Sequence, residues 1–414
     1  LIGALEALLF SVVTLQIAGP ADYSTGNPAI DFFYTLFNGI SEVPLFSSPI
    51  NGILILAGVF IASRYAGAMM VIAGLVGAGM AILLGAPYGL VTFGLFGYNS
   101  ILTGMAFWSG PFTKTNKATF WLSIYGAAAT AVVWMAFSHL MGDMFSICVG
   151  PPESAPALEG LEASTCTSNS WAIPGFTSSF IFTTWAMMFA SQRYGRDIWP
   201  GPPPPPTERA GEKLLPASSN PDTSSDFKWT PKEFTMATLK GVSQVTFVEN
   251  WKTGVFWVVG LTLAFELAPL VDVNGDPMNQ DRPWWTNAFT AGWNPLSSLY
   301  LGGVMALVGS GIGVACAILT KIPTAEIRLG LHGFNQVLVM IALTSFLPLT
   351  WQSFLIAVFM TVACSLFVMP ALQRFFGNWG LPALTGPFVF TAWVALLGIS
   401  GFENIPAGAG WSRP

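Results

Sequence analysis

Long apolar stretches separated by short polar breaks run along most of this chain. They lie near 49–64, 66–86, 91–110, 120–141 and 174–192, and again near 252–270, 296–320, 328–347, 350–372 and 381–401. Each approaches the roughly 20 residues that a helix needs to cross a bilayer. The pattern predicts an all-α polytopic membrane protein with about five transmembrane helices in each half. Residues 30–46 and 231–248 precede the first span of each half and are too short and mixed to cross alone. Each is expected to be a re-entrant half-helix, whose broken backbone is tolerated at depth only beside protein or a water-filled path. Residues 1–17 form a further apolar segment with one acid, Glu6. We expect an extra N-terminal apolar helix over 1–20.

The two halves repeat one another. Gly94-Leu95-Phe96-Gly97-Tyr98-Asn99 recurs as Gly330-Leu331-His332-Gly333-Phe334-Asn335. Upstream, Gly39-Ile40-Ser41-Glu42-Val43 matches Gly241-Val242-Ser243-Gln244-Val245, and downstream Ile173-Pro174-Gly175-Phe176-Thr177 matches Leu381-Pro382-Ala383-Leu384-Thr385. Three landmarks in one order, twice, predict a first transmembrane repeat over 30–194 and a second over 231–402. Between them, 195–230 turns polar and Pro-rich, with Pro202 to Pro206 opening it, and reads as a linker. An odd number of spans per copy inverts the second copy, an architecture typical of transporters and channels.

Composition agrees with a membrane setting, since only 9% of residues are charged and 53% are hydrophobic. Ionisable side chains are costly at bilayer depth. With five spans per half, 14 of the 16 basic residues fall on the side that carries the linker, all but Arg282 and Arg413. The positive-inside rule makes that side cytoplasmic. Nucleic-acid binding has no support, because there is no basic face and no alternation of aromatic and basic residues. Cys316 and Cys364 lie in apolar spans as packing residues, while Cys148 and Cys166 share a polar loop where a disulfide is conceivable in an oxidising space. His139 and His332 are the only histidines and read more readily as packing residues than as proton relays. Asp272, Asn274, Asp276 and Asp281 fit no cation-loop spacing. We find no metal, nucleotide, redox or catalytic constellation, so neither a cofactor nor an enzyme is expected.

The doubled segments Glu42-Val43-Pro44-Leu45-Phe46-Ser47-Ser48-Pro49-Ile50-Asn51-Gly52 and Gln244-Val245-Thr246-Phe247-Val248-Glu249-Asn250-Trp251-Lys252-Thr253-Gly254 resemble the signature of the urea transporter family. So do the two Gly-Leu-x-Gly-aromatic-Asn runs and the two Thr-x-x-Phe segments, and the likeness spans about residues 30–400. The resemblance implies a narrow passive slot within each protomer of a homotrimer. It implies that Glu42 and Gln244, with Val43 and Val245 beside them, form two outer solute sites. It further implies that Phe247 stacks on planar urea where its counterpart is Leu45, and that Tyr98, Leu102, Phe334 and Leu338 wall the slot. Thr177 and Thr385 would be the hydroxyls at its centre. This sequence has Ser47-Ser48 in place of Asn-Asn, and Trp251 in place of a Pro. The family pattern puts both termini in the cytoplasm and the linker outside, opposite to the charge distribution.

Physical chemistry suits those roles. Urea is flat and neutral, with four N–H donors and one carbonyl acceptor. Flat apolar faces admit it, and acceptors along one edge replace the water it loses; an unpaired polar group in apolar surroundings costs a few kcal/mol. The expected function is passive transport of urea or a close small neutral amide across a plasma, inner or organelle membrane. One alternative is a non-conducting subunit among other membrane subunits, suggested by Leu45, Ser47, Ser48 and Trp251. Another is an ammonium or small-amide channel.

Overall fold

A computed structural model describes residues 24–46, 48–110, 112–113, 115–145, 175–191, 229–263, 302–347 and 351–399. Among these the protein is all-helical. The first half runs α1 Pro28–Ser41, α2 Pro49–Ala62, α3 Arg64–Leu83, α4 Tyr88–Phe93, α5 Tyr98–Trp108, α6 Lys117–Phe145 and α7 Ser178–Ser191. The second runs α8 Pro231–Ser243, α9 Trp251–Thr262, α10 Gly302–Leu319, α11 Thr324–Arg328, α12 Phe334–Phe346, α13 Trp351–Gly377 and α14 Gly386–Ile399. Helix α13 contains a π turn at Cys364–Val368. The expected segments 1–20 and 195–228, and the loop holding Cys148 and Cys166, lie outside the described residues.

Local sequence explains the starts and stops. Asn27 caps α1 by accepting from Ala29 N, and Thr230 caps α8 by accepting from Glu233 N, each with proline next in line. Proline suits that first position, because its missing N–H has no helical partner anyway. Ser63 ends α2 in an extended conformation and caps α3 through Ala66 N. Asn250 caps α9 through Lys252 N.

Ten unbroken spans are not what forms. Helices α3, α10, α13 and Lys117–Ser138 of α6 are long and apolar enough to cross a membrane, whereas α2, α12 and most of α14 are shorter apolar helices. The stretches 91–110 and 328–347 each split, giving α4 with α5 and α11 with α12. Gly94 and Gly330 adopt left-handed backbone, φ 102° and 83°, which ends a helix at little steric cost. The tail of α1 then presses on the break: a Cβ on Gly97 would sit 2.9 Å from Gly39 Cα, and one on Gly333 2.8 Å from Gly241 Cα. The stretch 174–192 becomes helical only from Ser178, and of 252–270 the residues up to Thr262 form α9, while 264–270 lie outside the described residues. The expected half-helices at 30–46 and 231–248 appear as α1 and α8, each followed by a tight turn.

Backbone geometry repeats between the halves. Left-handed residues fall in matched pairs: Leu45 (φ 65°) with Phe247 (57°), Gly85 (76°) with Lys321 (57°), and Phe176 (49°) with Leu384 (52°). Such a conformation is uncommon outside glycine, so matched positions are a strong mark of common local structure. The halves meet along α2 and α9. Asn51, near the start of α2, lies against Gly260 near the end of α9, while Thr253, near the start of α9, donates to Gly58 O at 2.7 Å near the end of α2. The two helices are therefore antiparallel, and one contact is made twice.

Candidate functional site

The centre of the molecule is built from two broken entries into helices. Phe176-Thr177 leads into α7 and Leu384-Thr385 into α14. Each turn is clamped by an asparagine at the second position of a broken span. Asn99 Nδ2 donates to Phe176 O at 3.1 Å and its Oδ1 accepts from Phe180 N at 3.4 Å. Asn335 Nδ2 donates to Leu384 O at 3.2 Å and its Oδ1 accepts from Phe388 N at 3.1 Å. A left-handed residue at a helix entry leaves backbone groups without helical partners, and buried groups of that kind need one.

This clamping brings together two residues 208 positions apart in sequence: Thr177 Oγ1 and Thr385 Oγ1 lie 2.7 Å apart, both buried. Phenylalanines close to the pair in sequence contact other rings. Phe176 meets Phe388 at 5.1 Å and Phe346 at 5.6 Å between ring centroids, and Phe180 meets Phe247 at 6.0 Å. Val43, Tyr98, Leu102, Val245 and Leu338 are buried in one continuous apolar cluster, and Leu45, Phe247 and Phe334 pack against it.

Two further polar residues end α1 and α8. Glu42 is buried and ends α1. Tyr98 donates its hydroxyl to Phe176 O at 2.7 Å, one residue from Thr177. Gln244 ends α8 and directs its amide to Leu329 O at 2.8 Å, rather than to the threonine pair. Leu45 and Phe247 occupy the same left-handed corner in the two turns, so the Leu-for-Phe difference changes the side chain and leaves the backbone alike.

The model of the family described as "Urea transporter" matches residues 3–152, 161–275 and 290–412. The chain belongs to the urea transporter family. It is therefore an integral membrane protein. Urea transporter 1 of Capra hircus and of Ovis aries are each 25% identical to it over 386 residues, covering 91% of this chain and 79% of each relative. Urea transporter 1 of Rattus norvegicus is 25% identical over 380 residues with the same coverage.

Several residues of this urea transporter family chain contribute to the site without having been singled out in the sequence. Phe112, just beyond α5, packs edge-on to Phe247 at 5.6 Å; it lies outside the repeated motifs, so no register signal marks it. Trp134 Nε1 donates to the Tyr98 hydroxyl at 3.2 Å. Ser41 and Ser243 stitch the turns after α1 and α8: Ser41 Oγ accepts from Ser48 N, and Ser243 Oγ accepts from Asn250 N. Both serines sit at matched places in the repeat, and that pairing was the available clue. Cys316 and Cys364 are buried free thiols.

Proposed function

We propose that this chain conducts urea, or a close small neutral amide, passively through a slot between two inverted copies, 30–194 and 231–402, in each protomer of a homotrimer. The observation that carries this reading is the Thr177–Thr385 hydrogen bond at 2.7 Å. The two hydroxyls, one from each half of the chain and with phenylalanines beside them in sequence, can serve a solute as acceptors. In the proposed route, Glu42 with Val43 and Leu45 forms one outer site, and Gln244 with Val245 and Phe247 the other. Tyr98, Leu102, Phe334 and Leu338 wall the path. Hydroxyl and carbonyl oxygens replace the water that urea sheds, while an ion would lose far more solvation than such a slot returns. No step in this reading needs a bound cofactor.

Stopped-flow shrinkage of proteoliposomes tests the reading. Wild type should pass urea well above empty vesicles, and Thr177→Val and Thr385→Val should each lower that flux about tenfold, the effect of roughly 1.4 kcal/mol in the barrier. Folded wild-type protein with flux equal to empty vesicles would retire it. The bond between the two hydroxyls, with Phe176 and Phe388 beside it, also favours a second reading in which the passage is closed and the chain is a non-conducting subunit. The same assay separates the two.

A further inference from the structure

Helix α7 carries a regularity that its counterpart lacks. Its exposed positions Phe182, Ala186, Phe189 and Ala190 define one outward face. At 100° per residue, the opposite face holds Phe180, Thr184, Met188 and Ser191, all buried, in line with Thr177 just before the helix. Hydroxyl residues thus recur every seven positions, at 177, 184 and 191, along the inward face. In the second copy the corresponding positions are Thr385, Ala392 and Ile399, so only the first hydroxyl is shared.

Thr184 is fully buried, and its Oγ1 has no hydrogen-bond partner among the described residues. Ser178, Ser179 and Thr183 of the same helix are also without a partner among the described residues, but of the four only Thr184 lies in line with Thr177. Several other helical hydroxyls are satisfied locally. Thr103, Ser123, Thr130, Thr361 and Thr391 each fold back onto the carbonyl four residues earlier. Thr184 does not use the matching bond to Phe180 O. An orphaned buried hydroxyl costs about 1–3 kcal/mol, and such a group calls for a partner outside the protein's own set. Its position narrows the choice. It lies two turns, about 10 Å, beyond Thr177 on the same face, past Phe180, whose ring neighbours Phe247.

We infer that Thr184 is a further solute-contacting hydroxyl, an acceptor for the N–H groups of a small neutral amide on the Phe247 side of the central threonine pair. This rests on the proposed slot. It adds a polar station on one side only, because Ala392 occupies the symmetric position.

Two measurements test it. In proteoliposomes, Thr184→Val should lower urea flux about fivefold with an unchanged or higher thermal midpoint, Thr184→Ser should restore flux, and Thr183→Val, off that face, should conduct as wild type. Separately, a Thr184→Cys variant, with Cys148 and Cys166 changed to Ser, should react with methyl methanethiosulfonate and be slowed by urea. Wild type that conducts while Thr184→Val conducts equally and the cysteine variant is unreactive would overturn the role of Thr184 and leave the slot standing. Silent wild type with a reactive, urea-protected cysteine would support Thr184 as a binding group and sink conduction. Silence with no reaction would overturn both.

Discussion

At Asn99 and Asn335 one side chain bridges a carbonyl and an amide across a left-handed turn, and the two turns differ in what else holds them. Phe176 O receives donors from both Asn99 and Tyr98, whereas among the described residues Leu384 O receives only Asn335. Asn335→Ala should therefore destabilise the protein more than Asn99→Ala, by about 1 kcal/mol, the usual net worth of one hydrogen bond. Thermal unfolding in detergent measures the difference. Leu45→Phe should be tolerated, because Phe247 already adopts the same backbone conformation. In flux assays it should tighten urea half-saturation a few-fold by restoring a second stacking face. The doubled motifs made the threonines, asparagines and Phe247 legible as a set. They could not disclose Tyr98 bonding to Phe176 O, because Phe334 at the matching place has no hydroxyl, or Phe112 against Phe247, because Phe112 lies outside the repeated motifs.

Among the elements, the apolar pattern located nearly every helix but mistook broken ones for whole spans. Hydropathy averages over Gly94–Gly97 and Gly330–Gly333, and a change of backbone hand at the single residue Gly94 or Gly330 leaves that average intact. The breaks rest on close approach: α1 meets the first and α8 the second through facing glycines. Gly333→Ala would drive a methyl into Gly241 Cα, and the cost should be about 2–3 kcal/mol, typical of overpacking. A lowered thermal midpoint at preserved helical circular dichroism is the expected result. The joint between α2 and α9 is milder. Thr253→Val should cost about 1 kcal/mol by removing the bond to Gly58 O.

For the whole molecule, the repeated order of elements, the paired left-handed residues and the antiparallel α2–α9 contact support the reading of two copies of opposite orientation. Sidedness is a separate matter, because helix packing is blind to which face meets the cytoplasm. The basic residues predict that the Cys148/Cys166 loop faces outward, so both should react in intact cells with a membrane-impermeant maleimide after reduction. The unlike corners at Leu45 and Phe247 have a consequence for kinetics. An uncharged solute crossing without an energy source must show equal permeability in either direction at low concentration, whatever the shapes of the two entrances. An aromatic vestibule at one end alone can thus shift half-saturation and maximal velocity only in step. Loaded from the Phe247 side, the carrier should saturate earlier and plateau lower, with the quotient of the two constants the same from both sides.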